Sequence, residues 1–200
     1  MKHVHPSTHD YLPAAGYDAF LPFYDLITKL ARVGKLHREL IADAGLADGL
    51  DVLEIGCGTG NLCVAAKRAV PGINLTGMDP DPRALERARK KSGGTSYDEA
   101  YAQDLPYASE NFDRVLSSLM IHHLPQSALA SVLAEVHRVT KPGGSLHIVD
   151  FAGSHARRGH GSVESEDFVQ LLQEAGFTGV RELRRRRTLF GEVAFYRAAR

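Results

Sequence analysis

The segment Val52-Leu53-Glu54-Ile55-Gly56-Cys57-Gly58-Thr59-Gly60 decides how this chain is read. A short apolar run ends in a turn whose glycines alternate as GxGxG. Glycine permits a positive φ and lets a ligand approach the backbone closely. The turn opens a helix, whose first N–H groups have no intrahelical partner and face whatever lies outside the strand end. A dinucleotide-binding loop would read GxGxxG, and here Asn61 occupies the place of the third glycine. Glu54, just before the first glycine, would repel a pyrophosphate and suits an ammonium or a sulfonium instead.

Outward from this turn the chain alternates between strands and helices. Asp51 to Ile55 reads as a strand, Asn61 to Val70 as a helix, Ile73 to Met78 as a second strand and Asp81 to Lys91 as a helix with Pro82 in its first turn. Asp79 closes the second strand, nineteen residues after Gly60. An acid at that point can accept both hydroxyls of an adenosine ribose; its other reading is a helix N-cap. Ser96 to Tyr101 and Phe112 to Ser118 follow as strands, then Ser127 to Val139 as an amphipathic helix stopped by Lys141-Pro142-Gly143-Gly144, and Leu146 to Phe151 as a fifth strand. Ala152 to Ser162 reads as a loop and Glu164 to Ala175 as a helix. Val180 to Arg186 and Glu192 to Ala198 read as two strands joined at Leu189-Phe190-Gly191. Such alternation predicts an α/β fold with a mostly parallel sheet covered on both faces. The last two strands are joined too tightly for a crossover helix, so at least one runs antiparallel.

Composition sets outer limits. With 200 residues the chain suits one domain and can bury a sizeable core without staples. Lys plus Arg and Asp plus Glu are both 24, so the net charge is zero and offers no general attraction for nucleic acid or anionic membrane. No apolar run approaches the roughly 18 residues of a membrane span. The start, with His3, His5 and His9, carries no signal-peptide core. Cys57 and Cys63 are no disulfide framework. A cytoplasmic protein is expected.

These segments resemble the class I S-adenosylmethionine-dependent methyltransferases of the small-molecule type, near the ubiquinone/menaquinone methyltransferase-like group. The matching stretches are Val52 to Gly60, Gly77 to Pro82, Ala100 to Tyr107, Phe112 to Leu124 and Leu133 to Phe151, within a likeness running from about residue 20 to residue 198. The resemblance implies a Rossmann-like seven-stranded sheet of order 3-2-1-4-5-7-6 with strand 7 antiparallel. It implies a domain over 46–200 and, over 1–45, an arm and helices forming a lid over the cofactor. It also implies residue roles. Glu54, Gly56 and Gly58 would hold the methionine part of S-adenosylmethionine, with Cys57 a further cofactor-binding position in the turn, its small side chain suited to close packing. Asp79 would bind the ribose, Pro80 would flank the adenine, Ala102 would give it a backbone contact, and Ser117 would line the pocket. Tyr101 stands where the family often carries an aspartate to the adenine amino group, and would meet the base with its ring or hydroxyl. Tyr24 in the lid would touch the cofactor, with Tyr11 and Tyr17 as further lid positions. The product would be S-adenosylhomocysteine.

A methyl on sulfonium is already activated, so such an enzyme mainly aligns the reacting atoms, and a base is needed only when the acceptor must lose a proton. His122 and His123 follow the fourth strand at the mouth expected for the acceptor. Each suits a base or acceptor contact; the other reading is packing or capping of the next helix. The ten histidines show no ligand spacing of a metal site, and no metal is expected. His155 and His160 share a loop with Arg157 and Arg158. Arg184 to Arg187 reads as a solvated strand edge or as a basic patch for an anionic partner. The expected partner is a small-molecule acceptor rather than nucleic acid, with the protein a monomer or homodimer. The alternative reading is a non-catalytic S-adenosylmethionine-binding domain acting as a partner or regulator.

Overall fold

The computed structural model describes residues 33–91, 94–152 and 165–200. In chain order the elements are α1 (Val33–Ala44), β1 (Asp51–Ile55), α2 (Asn61–Ala69), β2 (Asn74–Asp79), α3 (Pro82–Lys91), β3 (Thr95–Glu99), β4 (Phe112–Ser118), a 3-10 turn (Ile121–His123), α4 (Gln126–Val139), β5 (Thr140–Phe151), α5 (Ser165–Glu174), β6 (Thr178–Thr188) and β7 (Gly191–Ala199). They form one seven-stranded sheet of order β3-β2-β1-β4-β5-β7-β6. The first five strands are parallel, and β7 runs antiparallel to both β5 and β6. This is the expected Rossmann-like α/β architecture. The Gly191 turn leaves no room for a crossover, so only an antiparallel β7 can fill the gap between β5 and β6.

Alternation along the central strands divides the core. Leu53 and Ile55 of β1 join Val115, Leu146 and Ile148 in a cluster with α4 and α5. Val52 joins Leu75, Leu116, Val149 and Phe195 in a second cluster with α1, α2 and α3. Glu54 shares the second face by the same alternation, which puts a carboxylate in an otherwise apolar layer. Residues 33–44, grouped by sequence with the arm, form α1 and bury Leu36, Leu40 and Ile41 against the sheet. The rest of the arm, with Tyr11, Tyr17 and Tyr24, lies outside the described residues, as do His155, His160, Arg157 and Arg158.

Two local readings are corrected. Lys141 to Gly144 is part of β5 rather than a turn ahead of it. These four residues of β5 stand opposite Asp113 alone of β4, since Phe112 pairs with Thr140 and Arg114 with Ser145, so the bulge is on β5. The C-terminus continues the pairing, since Gly143 N–H donates to Arg200 O and Arg200 N–H to Gly144 O. Lys141 anchors the stretch through Asp51 (2.7 Å) and Asp113 (2.9 Å). The third strand stops at Glu99, and Tyr101 instead makes a bridge with Asp104. The Arg184–Arg187 run lies on the edge strand β6. Arg184 pairs with Glu39 of α1 and lies over the Phe195 ring, Arg185 pairs with Glu182 and Glu192, and Arg186 with Glu39.

Two buried histidines make the fold acid-sensitive. Burial lowers His37 to about 4 and His147 to about 3. The unfolded chain, with ordinary histidines near 6.5, binds more protons than the folded one below that pH. The stabilisation from neutral imidazoles is therefore complete above pH 6.5 and is lost as the pH falls toward 4 and 3. Urea unfolding is expected to show stability falling by about 1–2 kcal/mol per histidine between pH 7 and pH 5. A His37→Leu variant, whose side chain joins the apolar neighbours Leu36, Leu40 and Ile41, should remove one of the two contributions.

Candidate functional site

The parallel strands β1, β2, β4 and β5 end on one edge of the sheet, at Ile55, Asp79, Ser118 and Phe151. In open α/β sheets this edge receives the ligand. The turn Gly56–Gly60 sits there, held by Cys57 N–H donating to Met78 O (2.9 Å) and by Gly60 N–H donating to Cys57 O (2.8 Å). Gly58 N–H donates to Asp79 Oδ2 (2.8 Å), which ties the turn to the end of β2. The other Asp79 oxygen accepts from Asp81 N–H (2.9 Å). The helix cap itself is Asp81, whose Oδ1 accepts Arg83 N–H (2.9 Å), so Asp79 is not the N-cap, and each of its oxygens keeps a further lone pair. Burial raises the Asp79 carboxyl, an effect offset in part by the Asp81 and Gly58 donors.

Glu54 is 3% exposed. Its Oε2 accepts the Cys63 thiol from α2 at 2.8 Å. Burial pushes the Glu54 carboxyl well above the ordinary range, and Cys63 and Asp79 push it the same way. A carboxylate in such a place is costly unless a cation or strong donors meet it. Cys63 itself is raised well above an ordinary thiol by its hydrogen bond with Cys57 and by burial. Both cysteines are free and buried, so they act as packing groups under the turn rather than as thiolates.

The glycines differ in what surrounds them. A Cβ on Gly60 (φ +77°) would come within 2.8 Å of the Tyr97 hydroxyl and 2.9 Å of Ala88 Cβ. A Cβ on Gly58 (φ +51°) would meet nothing within 4 Å. Gly60 therefore serves the fold, while Gly58 faces open space at the strand edge. Gly60→Ala is expected to lower stability by about 2–3 kcal/mol, from left-handed strain plus overpacking, and Gly58→Ala by about 1 kcal/mol from strain alone. Thermal unfolding of the two variants checks this.

The remaining candidates border the same edge. Ser117, fully buried and paired in register with Ile55, has a hydroxyl with no hydrogen-bond partner among the described residues; the same holds for Ser118. Pro80 follows Asp79 directly. Ala102 is buried, Tyr101 is half-buried, and Asp104 is exposed. His122 and His123 lie on the 3-10 turn after β4, with ring centroids 4.0 Å apart. Among the described residues no group of three or more His, Cys, Asp or Glu side chains forms a metal cluster. No helix among them is long and apolar enough to cross a membrane.

Two neighbours escaped the sequence reading. Cys63, the partner of Glu54, gives no local signal, because the contact joins a strand to the next helix. Asp150 is buried at the end of β5 and bonds to the 3-10 turn. An acid inside the apolar run Leu146 to Phe151 was the available sign.

The donor set fits S-adenosylmethionine. A buried carboxylate suits its cationic part, a second carboxylate with spare lone pairs suits its ribose, an open glycine allows close approach, and Ser117 offers an unused hydroxyl.

Comparison with known proteins gives the same answer. Residues 52–144 match the family model described as a methyltransferase domain. An uncharacterized methyltransferase of Synechocystis is 30% identical over 179 residues, covering 80% of this chain and 84% of that protein. The ubiquinone/menaquinone biosynthesis C-methyltransferase UbiE of Desulfotalea psychrophila is 33% identical over 139 residues, covering 67% of this chain but only 56% of that protein. Among solved structures, Haemonchus contortus phosphoethanolamine N-methyltransferase 2, in complex with phosphomonomethylethanolamine and S-adenosylhomocysteine, superposes with a TM-score of 0.80 at 15% identity. It covers 94% of this chain and 58% of that one, which shows the shared fold. The glycine turn, the acids around it and the relatives together place this chain in the class I S-adenosylmethionine-dependent methyltransferase family.

Proposed function

We propose that the chain transfers the methyl group of S-adenosylmethionine to a small-molecule acceptor at the carboxyl ends of β4 and β5. The observation that carries this is the buried Glu54 beside the open Gly58, with Asp79 tied to the same turn. In this reading Glu54, Gly56 and Gly58 hold the methionine part, with Cys57 packed beneath them in the same turn, Asp79 holds the ribose hydroxyls, and Pro80, Tyr101 and Ala102 hold the adenine. Ser117 lines the pocket floor. The cofactor supplies a methyl group already activated by its sulfonium. The chain's own residues bind and orient, and His122 or His123 accepts a proton from an acceptor that must lose one or contacts that acceptor.

In this reading the lid role falls to the segment 1–45, of which Tyr24 lies outside the described residues. Its last part is anchored, since α1 is buried against the sheet. Two free cysteines suit the reducing cytoplasm.

A calorimetric titration with S-adenosylmethionine is expected to show one site per chain. An assay for S-adenosylhomocysteine release with candidate acceptors is expected to show turnover that falls in His122→Gln and His123→Gln while cofactor affinity stays within about twofold. Binding without release, whatever the acceptor, would favour a binding domain without catalysis. No binding at all would remove the reading.

A further inference from the structure

Three features lie outside the roles assigned so far: Asp150, the positive φ of Leu119, and the packing of the His122 ring. Asp150 is 5% exposed. Its Oδ1 meets His122 Nδ1 at 2.7 Å and accepts Phe151 N–H at 2.7 Å, while its Oδ2 accepts Ile121 N–H at 2.7 Å. Leu119 has φ +54°, a conformation costly for a side chain of its size. Leu119 N–H donates to Val149 O (2.9 Å), so the chain leaves β4, bends sharply and lays the 3-10 turn on the end of β5. The bend brings His122 onto Asp150. Phe151 closes the other side, edge-on to the His122 ring with centroids 4.8 Å apart.

An ionised carboxylate only accepts hydrogen bonds. Facing Asp150, Nδ1 of His122 must therefore carry the proton, which leaves Nε2 as the ring nitrogen with a lone pair. The ring is 27% exposed, so it stays accessible at the strand edge. Resting on the methyltransferase reading above, we propose that Asp150 is a positioning residue: it fixes the Nδ1–H tautomer and orientation of His122, making His122 Nε2 the proton acceptor for the methyl acceptor. In the step so served, the acceptor's nucleophilic atom bonds to the methyl carbon. The carbon–sulfur bond breaks with its electron pair left on sulfur. The acceptor's proton moves to His122 Nε2, and the resulting imidazolium lies against the Asp150 carboxylate. Asp150 would thus favour the charged product state as well as the reactive tautomer.

The test is nitrogen-15 NMR of the imidazole resonances in the full chain, assigned with His122→Gln. The expected wild-type result is His122 with its proton on Nδ1, the minor tautomer of free histidine. A proton on Nε2 would overturn the proposal. Asp150→Ala removes the acceptor that faces Nδ1, so His122 is expected to revert to the Nε2–H form that free histidine prefers, while S-adenosylhomocysteine affinity stays within about twofold. A purely structural Asp150 would leave the tautomer unchanged in this variant, and that outcome also overturns the proposal. If the variant does not fold, the wild-type spectrum decides alone. Failure of the wild type to bind S-adenosylhomocysteine would instead count against the methyltransferase reading, independently of the tautomer.

Discussion

Glu54→Gln is expected to weaken S-adenosylmethionine binding by about 10²–10³-fold while leaving the free protein as stable as the wild type or more so. The loss follows from removing one partner of a buried, hydrogen-bonded charge pair, typically about 2–5 kcal/mol. The opposite effect on the free protein follows from burial. Glu54 has its carboxyl raised well above the ordinary range. A group raised in the folded state contributes stability below its unfolded pKa and loses it as the pH rises through the folded one. Near neutrality a glutamine escapes that loss and can still accept the Cys63 thiol. Calorimetry together with urea unfolding separates the two effects, since a variant that merely damaged the fold would lose both. The same shift makes binding proton-linked. A cationic ligand favours the ionised carboxylate, so binding by the wild type should release a proton and tighten as the pH rises toward the raised pKa. In titrations repeated in buffers of different ionisation enthalpy, the heat should vary with the buffer for the wild type and much less for Glu54→Gln.

Asp79→Ala should behave differently, losing affinity and stability together. Asp79 takes the N–H of Gly58 and of Asp81 on its two oxygens. Removing it strands donors at a buried turn, which costs about 1–3 kcal/mol for each one left unmet. The proposed bonds to the ribose are lost as well, so the dissociation constant is expected to rise by about 10²-fold or more, with a lower melting temperature. Asp79→Asn keeps one acceptor but points an NH2 at one of the two backbone donors, and should recover only part of either loss. Adenosine competition gives a finer check: the wild type should bind adenosine better than 2′-deoxyadenosine, and Asp79→Ala should scarcely distinguish them.

These two acids were legible in the sequence for different reasons. Asp79 follows the glycine turn at the distance that one helix and one strand impose, so its place at the end of β2 follows from chain geometry. Glu54 stands out as an acid in an apolar strand just before a glycine. The sheet order and the antiparallel β7 were implied by resemblance, and the tight Gly191 turn gave an independent physical reason for the antiparallel strand. What stayed hidden depends on contacts between distant segments. Cys63 reaches Glu54 only once α2 lies on the sheet. Asp150 meets His122 only because Leu119 accepts a strained φ. Lys141 to Gly144 reads as a helix stop by composition, yet its anchors are Asp51, Asp113 and Arg200, the last of them 59 residues or fewer away along the chain but adjacent in the sheet. The Arg184–Arg187 run looks like a basic patch by sequence. Three of its four side chains are ion-paired, two of them to Glu39 of α1, so the run chiefly ties the edge strand to that helix.

A crystal structure with bound S-adenosylhomocysteine tests most directly whether this turn is the cofactor cradle. The ligand is expected to lie over Gly58, its amino-acid end toward Glu54 and both ribose hydroxyls on Asp79. A ligand bound elsewhere, or bound with both carboxylates turned away to bulk water, would contradict it.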